Sequence, residues 1–143
     1  MTEEFNGALV LDTHVWIWLE MGESRLQNSP AFAALEEAKS RGRLTVSAIS
    51  IWELATLEAK GKIRLYQDCR QWADKALSAP GIFLQPITPE IAVESARLLG
   101  YFHADPADRI LVATARSLGA PLVTADPRIL AYAGKGYLKV LEV

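Results

Sequence analysis

The run ALVL at residues 8–11, followed at once by Asp12, decides the fold that this sequence can adopt. Four consecutive apolar residues that end at a charge are typical of a short strand covered on both faces, as in a parallel sheet. Further runs of this kind occur at residues 44–47, 82–84 and 121–124, and a fifth candidate lies at 138–141. This series of buried strands indicates an α/β protein.

The segments between these strands have the spacing of amphipathic helices. Their apolar residues recur at intervals of three and four, which is the period of a helix with one buried face. The sequence predicts helices over residues 30–41, 51–60, 69–77, 91–99 and 106–118. Strands that alternate with helices are joined by right-handed crossovers, which place helices on both faces of the sheet. We therefore expect a three-layer α/β/α domain with a mainly parallel five-stranded sheet.

Length and composition limit the classes of protein to consider. The chain has 143 residues, 50% of them hydrophobic, and a net charge of −2, so we expect one folded domain over residues 1–143. The single cysteine, Cys69, favours a reducing compartment, and we expect a cytoplasmic protein. No apolar run is long enough to span a membrane, and Glu3 and Glu4 stand where a signal peptide would have basic residues. The near-neutral charge argues against a strongly basic surface for nucleic acid.

Acidic residues cluster where the predicted strands end. Asp12 follows the first strand and Asp126 the fourth, Glu53 lies in the helix after the second, and Asp105 and Asp108 open the helix before the fourth. Ligands of such sheets bind beyond the carboxyl ends of the strands, so we expect these acids to share one edge. Crowded carboxylates need a cation, and oxygen ligands favour Mg²⁺ or Mn²⁺ over zinc. Such an ion can activate water against a phosphodiester.

Most of these acids also have a purely structural interpretation. Asp105 and Asp126 each precede a proline and fit the N-cap of a helix, and Ser50 with Glu53 fits a capping box. Asp12 is harder to explain in this way, because it interrupts an apolar run where a charge is costly unless it coordinates something. The sequence alone leaves both interpretations open for the other acids.

Four segments, in this order and at these separations, resemble one known family. They are LDTHVWIW at residues 11–18, SAISIWE at 47–53, DPADRILVATA at 105–115 and LVTAD at 122–126. Together they resemble PIN-domain proteins, and specifically the VapC-type toxin nucleases of bacterial toxin–antitoxin pairs. The resemblance covers residues 8–143.

This resemblance implies a site and an activity. It implies the PIN fold and a quartet of acids that binds Mg²⁺ or Mn²⁺, which falls here on Asp12, Glu53, Asp108 and Asp126. It assigns supporting roles to Thr13, to Thr124 and to Asp105, the last as an N-cap and outer ligand. The implied activity is that of a metal-dependent endoribonuclease, with RNA as substrate, a cognate antitoxin as inhibitor and a homodimer as the assembly.

Basic and aromatic residues give weaker signals. Arg109, Lys60 and Lys62 are candidate contacts to an RNA backbone. The simpler interpretation is that Arg109 pairs with a neighbouring acid and that the lysines lie in a solvated turn. Trp16 and Trp18 stand in an apolar segment, which favours packing in the core or against a partner.

Two other functions compete with the nuclease. A receiver-like switch also gathers acids around Mg²⁺, but the late strand here ends in Thr-Ala-Asp and the next lysine is Lys135. An inactive PIN fold that serves as a binding module is the second alternative, and the intact set of acids argues against it.

Overall fold

A computed structural model describes residues 7–143, and a five-stranded parallel sheet forms its centre. The strands lie in the order β3-β2-β1-β4-β5, and every neighbouring pair is parallel. Their bounds are β1 Leu9–Leu11, β2 Leu44–Ser47, β3 Ile82–Gln85, β4 Leu122–Thr124 and β5 Val140–Glu142. The predicted strands and the parallel sheet are thereby confirmed. Glu3 and Glu4, which bear on the signal-peptide argument, lie outside the described residues.

The connections between the strands are helical. The helices are α1 Thr13–Met21, α2 Ser24–Gln27, α3 Phe32–Ser40, α4 Ala48–Ala59, α5 Cys69–Leu77, α6 Pro89–Ala96, α7 Pro106–Leu118 and α8 Pro127–Gly134. The five predicted helices are present as α3 to α7. Helix α1 was not predicted, because most of its positions are apolar and a helical period does not stand out. Within residues 7–143, no helix has the length and apolarity that a membrane span requires.

The start of α4 differs from its prediction. Ser50 was expected to cap this helix, but the N-cap is Ser47, whose Oγ accepts a hydrogen bond from the backbone N–H of Ile49 at 3.1 Å. Ser47 also ends β2, so strand and helix follow one another without a loop. This short connection brings the first turns of α4 to the carboxyl end of the sheet.

Two cores cover the two faces of the sheet. Leu9 and Leu11 of β1 face one core, which also holds Trp16 of α1, Leu35 of α3 and Leu54 of α4. Val10 faces the opposite core, with Leu111 of α7 and Ile129 of α8. This alternation is the period of a strand buried on both sides, and it confirms the three-layer α/β/α architecture.

Trp16 and Trp18 pack as predicted. Trp16 is fully buried, and its ring lies 5.4 Å from that of Trp72 in an edge-to-face arrangement. Trp18 is partly buried against the same core.

The expectation that the strands are covered on both faces fails at β3, where Phe83 is 54% exposed. Phe83 lies in register with Thr45 and Val10, and among the described residues the core on the Val10 face contains no residue of the edge strand β3.

Two glycines with left-handed backbone differ in how closely helix α3 approaches them. Gly81 precedes β3 with a φ of +91°, and a Cβ there would lie 2.2 Å from the carbonyl oxygen of Lys39. Gly42 precedes β2 with a φ of +71° and has nothing within 4 Å of a Cβ. We expect Gly42→Ala to lower the free energy of unfolding by about 1 kcal/mol, since only the left-handed backbone is strained. Gly81→Ala should lower the free energy of unfolding by about 3 kcal/mol, because the backbone of α3 must also move.

Urea unfolding of both variants measures this difference. Equal losses for the two variants would contradict the close approach of α3 to the start of β3.

Candidate active site

Asp12 ties the centre of the sheet to the candidate site. It directly follows β1 and caps α1, and its Oδ1 accepts a hydrogen bond from the N–H of Thr13 at 2.7 Å. Its Oδ2 accepts a hydrogen bond from the hydroxyl of Thr124 at 2.7 Å. The residue is only 4% exposed. One buried carboxylate therefore joins β1, α1 and the end of β4.

Thr13 connects this carboxylate to the next acid. Its hydroxyl donates to Oε1 of Glu53 and lies 2.7 Å from the hydroxyl of Ser50. Glu53 and Ser50 both belong to α4, which begins at the carboxyl end of β2. The side chain of Glu53 is thus held in a fixed direction beside Asp12.

Asp105 and Asp108 come to the site from the start of α7. Asp105 is the N-cap, as predicted, and accepts a hydrogen bond from the N–H of Asp108 at 3.1 Å. The N–H of Asp105 donates to Nδ1 of His103 at 3.3 Å. The carboxylate of Asp108 is therefore not occupied by capping this helix, and it is buried with 7% exposure.

Asp126 lies beside Asp12 through a shared threonine. It caps α8, where its Oδ1 accepts a hydrogen bond from the N–H of Arg128 at 2.8 Å. Its own N–H donates to the hydroxyl of Thr124 at 2.9 Å, and that hydroxyl in turn donates to Asp12. Thr124 thus orients two acids with one oxygen atom.

Three of the acids form the tightest group. Glu53, Asp105 and Asp108 each place one carboxylate oxygen within 4.8 Å of the others. Asp105 therefore stands among the acids themselves, although the sequence suggested it as a cap and outer ligand. Asp12 and Asp126 are close enough to act on Asp108 through their charge. All five predicted acids thus gather at the carboxyl edge of the sheet.

The crowding of these acids disturbs their ionisation. Burial raises the pKa of Asp108 to about 7, and the charges of the surrounding acids add to this shift. Burial also raises the pKa of Asp12, against the opposing charge of His14, and the pKa of Glu53. The site therefore carries more carboxylates than can ionise together at neutral pH without a cation.

Two side chains that sequence reasoning did not single out lie against Asp108. Nε2 of His103 is 3.2 Å from Oδ2 of Asp108, and Nη2 of Arg128 is 3.5 Å from the same oxygen. Arg128 also reaches Asp126, with 3.6 Å between Nη2 and Oδ2. Each residue stands two positions from an acid of the site, and that proximity is the signal that could have found them.

His14 lies against Asp12. Its Nδ1 is 3.5 Å from Oδ2 of Asp12, and its Nε2 accepts a hydrogen bond from the N–H of Ala125 at 3.4 Å. The ring packs edge-to-face against Trp18 and also faces the site.

The three basic residues predicted from the sequence lie elsewhere. The prediction that Arg109 pairs with a neighbouring acid is wrong. Its guanidinium donates instead to the backbone carbonyls of Ser95, Phe102 and His103. Lys60 and Lys62 are exposed at the far end of α4, about 10 Å along the helix from Glu53. The structure does not bring any of the three to the acids.

The arrangement can do a limited range of chemistry. Clustered carboxylate oxygens suit a hard divalent cation, and such a site can stabilise the charge on a phosphodiester while water attacks it. Arg128 supplies a cation at the border of the cluster.

Comparison with known proteins gives a consistent result. The sequence model of the PIN domain family matches residues 9–135. Ribonuclease VapC22 of Mycobacterium tuberculosis is 34% identical over 122 residues, which is 85% of this chain and 89% of the relative.

Solved structures share the fold. The DNA-bound VapBC of Salmonella typhimurium aligns with a TM-score of 0.66 at 16% identity, over 95% of this chain and 98% of that one. VapBC2 of Rickettsia felis, bound to a promoter DNA fragment, gives 0.65 at 14% identity, over 94% and 98%. A toxin–antitoxin complex of Klebsiella pneumoniae gives 0.62 at 22% identity, over 94% and 96%.

The family model spans most of the described residues, and VapC22 is related over nearly its whole length. The sheet order, the acidic edge and these matches lead to one conclusion: the chain belongs to the PIN domain family, among its VapC-type members.

Proposed function

We propose that this protein is a Mg²⁺-dependent endoribonuclease toxin that a cognate antitoxin neutralises. Its relation to ribonuclease VapC22 and its PIN domain make it a nuclease. The observation that carries the finer proposal is the set of acids at the carboxyl edge of the sheet, three of which bring oxygens within 4.8 Å of one another. Such a group is suited to a divalent metal and to the phosphodiester chemistry that it supports.

The fold family implies Mg²⁺ or Mn²⁺, and the residues present fit such an ion. The donors are all carboxylate oxygens. Burial, and after it the charges of the neighbouring acids, raises the pKa of Asp108, and a cation would offset those charges. We propose that Asp12, Glu53, Asp108 and Asp126 hold the ion, together with Asp105. When bound, the ion would lower the pKa of a water molecule and neutralise charge on the phosphate.

The chain's own residues orient this chemistry. The hydroxyl of Thr13 donates to Oε1 of Glu53, which sets the direction in which this carboxylate faces the other acids. Thr124 fixes Oδ2 of Asp12 and the backbone of Asp126. These two threonines act as positioning residues, since each sets the direction of an acid.

Partners and location complete the proposal. The solved neighbours are VapBC and other toxin–antitoxin complexes, which supports an antitoxin as partner. We also propose a single PIN domain over residues 1–143, a cytoplasmic location and a homodimer. Val93 and Leu99, which are apolar and exposed on and after α6, support the homodimer. Sedimentation equilibrium of the purified chain tests the assembly.

The receiver-like alternative conflicts with the topology. Receiver-type sheets have the order 2-1-3-4-5, whereas this sheet has the order 3-2-1-4-5. The cleavage experiment described next tests the second alternative, an inactive PIN fold that serves as a binding module.

Removal of a central acid should abolish cleavage. We expect Asp12→Asn and Asp108→Asn each to lower kcat for single-stranded RNA in Mg²⁺ by about 100-fold or more, as loss of a central electrostatic contact does. Asp74→Asn is the matched control, since Asp74 is an exposed acid on α5 paired with Arg70, and it should cleave at the parent rate. Parent-level cleavage by Asp12→Asn would contradict the proposed site.

The pKa of Asp108 predicts how pH acts on the metal-free protein. The folded state keeps Asp108 protonated up to about pH 7, whereas its ordinary value is 3.8. The folded state therefore binds more protons between these values, and the contribution of Asp108 to stability is lost as pH rises through that window. In EDTA at pH 8, Asp108→Asn should melt about 3–6 °C above the parent, with a smaller gain at pH 5.

Mg²⁺ should reverse this difference. At pH 8 it should raise the melting temperature of the parent and change that of Asp108→Asn much less, because the variant lacks a ligand. A parent protein that melts above Asp108→Asn in EDTA at pH 8, or does not respond to Mg²⁺, would contradict the account. Differential scanning fluorimetry gives the melting temperatures of both proteins under each condition.

A further inference from the structure

A cavity of about 290 Å³ opens beside the acids. It lies between residues 101–103 and helix α8, and its wall includes Tyr101, Phe102, His103, Arg128, Tyr132 and Lys135. This volume is at the lower end of ligand pockets, which start at about 300 Å³. The cavity therefore suits one small group rather than a large ligand.

The cavity and the acidic site share two side chains. His103 and Arg128 line the cavity, and both also lie within 3.5 Å of Oδ2 of Asp108. A substrate strand that passes over Asp108 therefore also passes the mouth of the cavity. The substrate group next to the one at the acids would lie beside the cavity.

Aromatic rings form much of the cavity. Phe102 and Tyr132 are buried, with ring centroids 5.0 Å apart, and the hydroxyl of Tyr132 donates to the carbonyl of Leu99 at 2.6 Å. Tyr101 is different, because 78% of it is exposed. A fixed aromatic floor and one freely presented ring are the features on which proteins stack unpaired bases.

The charges at the cavity complement a nucleic acid backbone. The guanidinium side chain of Arg128 is 59% exposed, and Lys135 is exposed at the end of α8. Within residues 7–143, Lys135 makes no ion pair with an acid. Two cations beside an aromatic cavity fit a base with its adjoining phosphates better than an apolar segment of a protein.

We propose that this cavity binds one unpaired nucleobase of the RNA, next to the phosphodiester that the acids cut. Tyr101 stacks on the base, and Arg128 and Lys135 face the phosphates on either side. This inference rests on the proposed ribonuclease function and adds to it a subsite for substrate selection.

The test uses RNA binding, so that cleavage does not complicate it. In an Asp12→Asn background with Mg²⁺, fluorescence anisotropy gives the Kd for the best-binding member of a panel of labelled single-stranded oligoribonucleotides. We expect Tyr101→Ala to raise the Kd about tenfold, as loss of one stacked base does. Tyr101→Phe keeps the ring and should bind as the parent does. Tyr66→Ala removes another tyrosine, 94% exposed on a different part of the surface, and should also bind normally.

A scan of the RNA with single abasic nucleotides identifies the base. One position should weaken binding of the parent about tenfold and leave binding of Tyr101→Ala nearly unchanged, because both changes remove the same stack. Parent-like RNA binding by Tyr101→Ala, or equal abasic profiles for the two proteins, would overturn the proposal. So would a Tyr101→Ala variant that binds RNA normally but loses the antitoxin.

Cleavage by the unsubstituted protein separates this inference from the proposed function. If that protein cuts the RNA while Tyr101→Ala binds it normally, only the subsite is wrong. If the unsubstituted protein neither binds nor cuts RNA, the proposed function fails and the subsite fails with it.

Discussion

The mutual repulsion of carboxylates at one edge of the sheet is the constraint on which the rest of this structure depends. Asp108 is buried among four other acids, and burial with their charges raises its pKa to about 7. A fold gains nothing in stability from such a cluster, since each ionised acid destabilises the next. A cation bound among these acids would offset their charges. Carboxylate oxygens, which this cluster supplies, are the ligands that such a cation needs.

The fold holds three of the acids in place with N-capping hydrogen bonds, which are common at the start of helices. Asp12, Asp105 and Asp126 are the N-caps of α1, α7 and α8, and each accepts a backbone N–H with one oxygen. Capping and a place in the acidic site are thus combined in the same residues, and one role does not exclude the other. Glu53 is oriented instead by the hydroxyl of Thr13. Parallel strands explain why these caps meet, because each cap follows a strand or faces its carboxyl end.

Sequence reasoning identified the sheet and the five acids of the site for physical reasons. Short apolar runs specify buried strands, and an acid after such a run marks the carboxyl edge. It missed α1, whose nearly continuous apolar sequence hides the helical period, and it missed the exposure of β3, since edge positions depend on pairing. His103 and Arg128 were missed because their importance comes from proximity in space to Asp108. The net charge of −2 was a poor guide to nucleic acid, because it averages the acidic pocket with the cations around it.

Anomalous scattering from crystals grown with Mn²⁺ tests the central claim most directly. The account predicts one or more Mn²⁺ peaks at roughly 2.1 Å from carboxylate oxygens of the cluster, Asp108 among them, with Arg128 moved away from Asp108. A contradictory result would be well-ordered acids at millimolar Mn²⁺ with no anomalous peak and with Arg128 still between Asp108 and Asp126. In that case Asp12, Asp105 and Asp126 would be helix caps with Arg128 as the counter-ion of Asp108, and the nuclease site would have to be sought elsewhere.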